Sequence, residues 1–231
     1  MLFNSFSFLI FFLVVYPLYL VFNLRWQNRM LLVASYFFYG SWDWRFLSLI
    51  IISTFLDYYC GGAISRSASL RKKKIFLLFS ISGNLLILGF FKYYNFFIVS
   101  LQELLSLFGL SMQPHLLSII LPVGISFYTF QTMSYTIEIY RNKIKPVNNF
   151  IDFSLFVAFF PQLIAGPIER ASHLIPQIVQ KRYVNLPQFN EGCRLIIWGL
   201  FKKIAVADRL GIYVDSVYGN LYQHSGPTFT L

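Results

Sequence analysis

The chain has 231 residues, of which 57% are apolar, 20% aromatic and only 12% charged, with a mean hydropathy of +0.60. Soluble domains carry about 25% charged residues, so this composition excludes a fully water-facing surface. The net charge of +10 does not point to nucleic acid, because the basic residues sit in short clusters between apolar runs, as membrane orientation requires.

Taken in order, apolar runs predict membrane spans at 2–24, 30–42 (short), 46–64, 75–97 and 116–140, then a shorter apolar piece at 150–165 and a further helix at 192–206. A crossing helix needs about 20 mostly apolar residues, and 2–24 holds no charge at all. That run is read as an uncleaved span: Met1 alone precedes it, it exceeds a signal peptide's apolar core, and no small-x-small cleavage site follows. The expected fold is an all-α, polytopic integral membrane helical bundle with one re-entrant, broken-helix segment. Placing the cluster Arg66, Arg71, Lys72, Lys73 and Lys74 in the cytoplasm puts the N-terminus outside. It also brings Arg25, Arg29, Arg141, Lys143, Lys145, Arg170, Lys181 and Arg182 to the inner face. Trp42, Asp43 and Trp44 read as an outer turn with indoles at headgroup level, and 101–110 as a short helix along the outer interface. The tail 218–231, with Gly219, Gly226 and Pro227, reads as loop.

Three features differ from ordinary lipid-facing helix. Within 121–141, Tyr128, Gln131, Tyr135 and Glu138 fall on one stripe at helical spacing, opposite Ser126, Phe130, Met133 and Ile137. A polar stripe avoids hydrocarbon, so it either lines a cavity or bonds neighbouring helices, and both readings stay open. Pro122 and Gly124 allow a bend at the outer end. Within 159–170, Pro161 and the Gly166-Pro167 pair interrupt an apolar segment that also carries Gln162. Interrupted backbone at membrane depth is tolerated inside protein or beside an aqueous cavity. The segment is expected to enter and return on the cytoplasmic side, with Glu169 and Arg170 at its mouth; the alternative is a Pro-terminated helix ending at the interface. Asp57 is an isolated acid in its span, near enough to its cytoplasmic end for Arg66 or the lysines to neutralise it, and a structural role is expected.

Cys60 and Cys193 are expected as unpaired thiols, and no metal site is expected. His115, His173 and His224 read as loop or surface residues, with no carboxylate or nucleophile at informative spacing. No nucleophile elbow or phosphate loop occurs. The residues alone thus give a bundle with a cavity and no identifiable catalyst.

The two Pro/Gly motifs, together with 1–8, Tyr36-Phe-Phe-Tyr-Gly-Ser-Trp-Asp43, Phe90-Phe-Lys-Tyr-Tyr-Asn95 and 192–208, resemble the membrane-bound O-acyltransferase family. The similarity runs the length of the chain in order, and lies nearest the bacterial alginate O-acetyltransferase membrane subunits. It implies that 1–231 is the N-terminal part of such a membrane domain, in the bacterial inner membrane. It further implies transfer of acetyl from a donor such as acetyl-CoA to hydroxyls of an exported, alginate-like polysaccharide. In such proteins a ring of helices surrounds a funnel, with periplasmic or extracellular acetyltransferase subunits as partners. The expected donor-path lining is Tyr128, Gln131, Tyr135, Glu138, Pro161, Gln162, Gly166, Pro167, Glu169 and Arg170. The family's catalytic histidine stands in a Trp-His-Gly-type context that nothing here matches, nor is its Asp-Phe-Ser-Gly stretch present. The chain is therefore expected to lack activity alone, as a truncated product, a frameshift or a fragment whose C-terminal half is encoded separately. Alternatives are a small transporter or channel and a non-catalytic membrane subunit.

Overall fold

A computed structural model of the chain describes residues 3–109, 116–117, 121–167 and 169–219. The expectations that fall on Met1, Leu2, Leu110, His115, residues 118–120, Ile168, His224 and the rest of the tail lie outside the described residues. Every regular element among the described residues is helical. Two stretches, Leu24–Arg66 and Leu70–Leu107, have the length and apolarity to cross a bilayer, and Phe6–Val21 and Phe150–Leu163 are shorter apolar helices. The chain divides into two compact units, one ending at Arg182 and one beginning at Tyr183.

In the first unit, α1 (Phe6–Val21) starts where Ser5 accepts a hydrogen bond from Phe8 N at 3.2 Å, and α2 (Leu24–Asp43) starts where Asn23 accepts one from Trp26 N at 3.2 Å. Such caps satisfy donors that the first turn leaves free. The expected short span 30–42 is therefore a full 20-residue helix; the polar cap and the arginines masked a start that hydropathy alone does not show. A turn lies where one was expected: Asp43 leaves helical geometry (φ −159°, ψ 111°) and pairs with Arg45 at 2.6 Å across one 3-10 turn, Trp44–Phe46. Helix α3 (Leu47–Arg66) follows.

Next, α4 (Leu70–Leu88), a π-helical turn (Gly89–Tyr93) and α5 (Tyr94–Leu107) make one continuous helical stretch of 38 residues. The separate interfacial helix expected at 101–110 is instead, through Leu107, the end of this stretch. No Pro or Gly interrupts 94–107, and Gly109, at φ +74°, ends it. Among the described residues of the span expected from 116, the helix is α6, Ile125–Tyr140. Pro122 and Gly124 form a turn before it, and Gly124 sits at φ +74°, with room for no side chain: a Cβ there would lie 2.9 Å from the Leu163 carbonyl.

The unit closes with α7 (Phe150–Ala158), α8 (Phe160–Ala165) and α9 (Ala171–Val179). The rings of Phe11, Phe38 and Phe160 meet at centroid distances of 5.2 to 5.6 Å, knitting α1, α2 and α8 together. Tyr135 packs on Phe153 at 4.4 Å, holding α6 to α7. The second unit is α10 (Leu186–Phe201), a π-helical turn (Lys202–Ala207) and α11 (Asp208–Gly219). It extends the helix expected at 192–206 at both ends, starting where Asn185 caps Gln188 N at 2.9 Å.

Candidate functional site

The interruption falls at Phe159, whose φ of −54° and ψ of 108° leave the helical region. Pro161 lies just inside the first turn of α8, where its missing N–H is not needed. In a continuous helix Phe160 N–H donates to the Phe156 carbonyl four residues back. Here both groups are taken up by neighbouring helices. Phe160 N donates to Ser35 Oγ of α2 at 3.2 Å, and Gln131 Nε2 of α6 donates to Phe156 O at 2.6 Å. Ser35 is itself held by its own donation to Leu31 O at 2.7 Å. The open backbone pair is thus closed by two side chains, as burial away from water demands.

The exit from α8 is fixed the same way. Gly166 is extended (φ −85°, ψ 160°), the conformation that a following proline favours. A Cβ on Gly166 would lie 2.7 Å from Gln162 Cα. Gln162, almost fully buried, reaches Pro167 O at 3.4 Å and Gln131 Nε2 at 3.5 Å. Of the expected lining residues, Gln131, Gln162, Gly166 and Pro167 are brought together around this break, and Pro161 is exposed.

The remaining stripe positions of α6 are buried, and they bond at different points. Tyr135 Oη accepts from Val147 N at 3.1 Å. Glu138 accepts from Ser172 N at 2.9 Å and Ser172 Oγ at 3.2 Å, placing a carboxylate at the N-terminal turn of α9. Tyr128 is fully buried, yet its Oη has no hydrogen-bond partner among the described residues, and neither does Thr129 Oγ1. Beyond the break, Arg170 is exposed and Glu169 pairs with His173 Nδ1 at 2.8 Å. This corrects the reading of His173 as lacking a carboxylate partner: the two residues are one helical turn apart, a spacing visible in the sequence.

A second polar cluster went unread in the sequence. Asp57, fully buried, accepts from Ser80 Oγ at 2.5 Å and from Asn84 Nδ2 at 2.8 Å. Ser53 Oγ donates to Asn84 Oδ1 at 2.6 Å, Ser80 Oγ and Thr136 Oγ1 lie 3.0 Å apart, and Thr132 Oγ1 reaches Asn84 Oδ1 at 3.5 Å. The expectation that Arg66 or the lysines neutralise Asp57 fails, since no ion pair to it forms among the described residues. Two donors of α4, Ser80 and Asn84, bond the carboxyl instead, and groups of α3 and α6 bond those two in turn. The signal was present as polar pairs four apart: Ser53 and Asp57, Ser80 and Asn84, Thr132 and Thr136.

A cavity of about 310 Å³ lies against the break, lined by Phe159, Phe160 and Pro161 together with Tyr16, Tyr19, Gln177 and Arg182. Arg182 closes one wall: its guanidinium stacks over Tyr19 at 5.7 Å and donates to Asn28 Oδ1, while Asn28 Nδ2 donates to Asp152 at 2.8 Å. Sequence reading missed Asn28 and Arg182, whose partners lie more than a hundred residues away. The described residues contain no cluster of His, Cys, Asp or Glu able to hold a metal ion, and Cys60 and Cys193 are free thiols.

An all-α membrane bundle with a broken helix closed by its neighbours is the class that these features define. No protein-family model and no solved structure matches the chain. Curated relatives do. The chain is 40% identical over 94% of its length to a probable alginate O-acetylase, AlgI, of Pseudomonas putida, and 38% identical over 94% to that of Azotobacter vinelandii. It is also 32% identical over 80% of its length to a peptidoglycan O-acetyltransferase of Helicobacter pylori. The chain spans less than half the length of each, 45%, 44% and 39% respectively. Over the part of these relatives that it spans, the chain bears out the resemblance to the membrane-bound O-acyltransferase family.

Proposed function

We propose that residues 1–231 are the N-terminal portion of a bacterial inner-membrane O-acyltransferase that moves acetyl groups to hydroxyls of an exported polysaccharide. The observation that carries this is the 40% identity, over 94% of the chain, to a relative named as an alginate O-acetylase. The Helicobacter pylori relative, named for peptidoglycan, supports the wider substrate class of carbohydrate polymers. On this reading the N-terminus faces outward and Arg25, Arg29, the cluster 71–74, Arg141 and Arg170 face the cytoplasm. The segment 150–165 enters and returns on that face. The break at Phe159 and the exit at Gly166-Pro167 form the floor of the passage for an acetyl donor such as acetyl-CoA. Gln131, Gln162, Tyr135 and Glu138 hold that floor in shape, Glu169 and Arg170 mark its mouth, and Tyr128, with its unpartnered hydroxyl, is the stripe residue left to bind what enters.

Acyl transfer to a hydroxyl needs a general base. We place that base outside residues 1–231, because none of the three histidines stands in the family's Trp-His-Gly-type context. Periplasmic or extracellular acetyltransferase subunits are the partners of this reading. The test uses a bacterium deleted for its own alginate O-acetylase and measures acetate bound to its exported polymer. Residues 1–231 alone should restore no acetate, whereas a fusion to the remaining length of the Pseudomonas putida relative should restore it. Acetylation by 1–231 alone, or none from a fusion shown to be intact in the membrane, contradicts the proposal.

A further inference from the structure

Between α1 and α2 runs a recess of about 800 Å³ that the acyl-transfer reading does not use. Its floor is Phe11, Val15 and Ala34, all buried, and its rim is Val14, Val33 and Phe37, exposed by 56%, 68% and 62%. The lining follows both helices from Ser7 to Phe22 along α1, about 22 Å at the helical rise, and so reaches past one leaflet of a roughly 30 Å hydrocarbon layer. One end of the recess alone is charged. There Arg29 stacks over Trp26 at 5.0 Å, makes no ion pair with a carboxylate among the described residues, and lies one turn beyond Arg25.

We infer that this recess is a binding site for an anionic phospholipid of the cytoplasmic leaflet, its phosphate on Arg29 and one acyl chain along the Phe11–Val15–Ala34 floor. An apolar channel of acyl-chain length that ends in a guanidinium stacked on an indole, with no carboxylate partner among the described residues, matches an amphiphile with one negative head. A second copy of the chain fits less well. A two-fold contact about the membrane normal sets the same patch against itself, bringing Arg29 to Arg29 at the same depth. The inference rests on the membrane placement of α1 and α2 and is independent of the acyl-transfer reading.

The full chain in mild detergent, loaded from vesicles of equal phosphatidylglycerol and phosphatidylcholine, is examined by native mass spectrometry. Phosphatidylglycerol should be retained about fivefold over phosphatidylcholine, the preference expected for one arginine at the membrane surface. Arg29→Gln should abolish the preference while leaving some lipid bound. Val14→Trp, at an exposed rim position, should expel the lipid while circular dichroism shows unchanged helix content. Equal retention of the two lipids by the unmodified chain, retention unaltered by Val14→Trp, or a lipid-free dimer that Val14→Trp dissociates would each overturn the inference.

Discussion

Around Asp57 three unbroken helices meet through side chains; around Phe159 one helix is broken and its neighbours close the gap. In the first region α3, α4 and α6 each contribute hydroxyl or amide groups that point at one another, and the backbone of each helix keeps its own hydrogen bonds. In the second the backbone itself has lost a pair, Phe160 N and Phe156 O, and Ser35 and Gln131 replace it from two different helices. The first arrangement ties helices together and leaves no backbone open. The second holds the chain in a shape that regular helix forbids, beside a cavity. Polarity inside this bundle therefore has two uses, and the broken backbone separates the one that holds an irregular segment beside a cavity from the one that only binds helices.

Substitutions can break this contrast. The largest effect is expected for Asp57→Ala, which strips the acceptor from Ser80 and Asn84 at once and should lower stability by about 2–4 kcal/mol in detergent unfolding. Asp57→Asn, which keeps a carbonyl for Ser80, should lose clearly less; equal losses would show that the carboxyl is not the hub. Gly124→Ala should cost about 2–3 kcal/mol, since it puts a side chain at φ +74° and 2.9 Å from Leu163 O, prising α6 from α8. Ser35→Ala and Gln131→Leu should each cost about 1–2 kcal/mol by orphaning one backbone group of the break. A neutral result for both in thermal unfolding would show that the break is not closed by these residues. The smallest effect belongs to His173→Ala, below about 0.5 kcal/mol, because its pair with Glu169 is largely exposed.

The helical class and the positions of most helices were legible because long apolar runs mark helix wherever they are buried. What hydropathy did not show was where helices start and stop. Asn23 capping α2, Gly124 delaying α6 and the Pro-free run that carries α5 to Leu107 are local chemistry laid over a uniformly apolar background. The interruption in 159–170 was legible from Pro161 and Gly166-Pro167, but the geometry departs at Phe159, one residue before α8 begins. The partners of the break were not legible, since nothing in one sequence pairs Ser35 with Phe160 across 125 positions. Asp57 was noticed and a structural role expected, but its partners were not legible: proximity in sequence suggested Arg66, whereas the fold offers Ser80 and Asn84 from the adjacent helix.

The central claim, that the broken segment is the cytoplasm-facing floor of a passage, meets its most direct test in cysteine accessibility. With Cys60 and Cys193 replaced by alanine, single cysteines at Pro167 and Glu169 are treated with a membrane-impermeant maleimide in inverted and in right-side-out vesicles. The account predicts rapid labelling of both in inverted vesicles and little in the other orientation. Labelling only from the outer face, or from neither face until detergent is added, would contradict it.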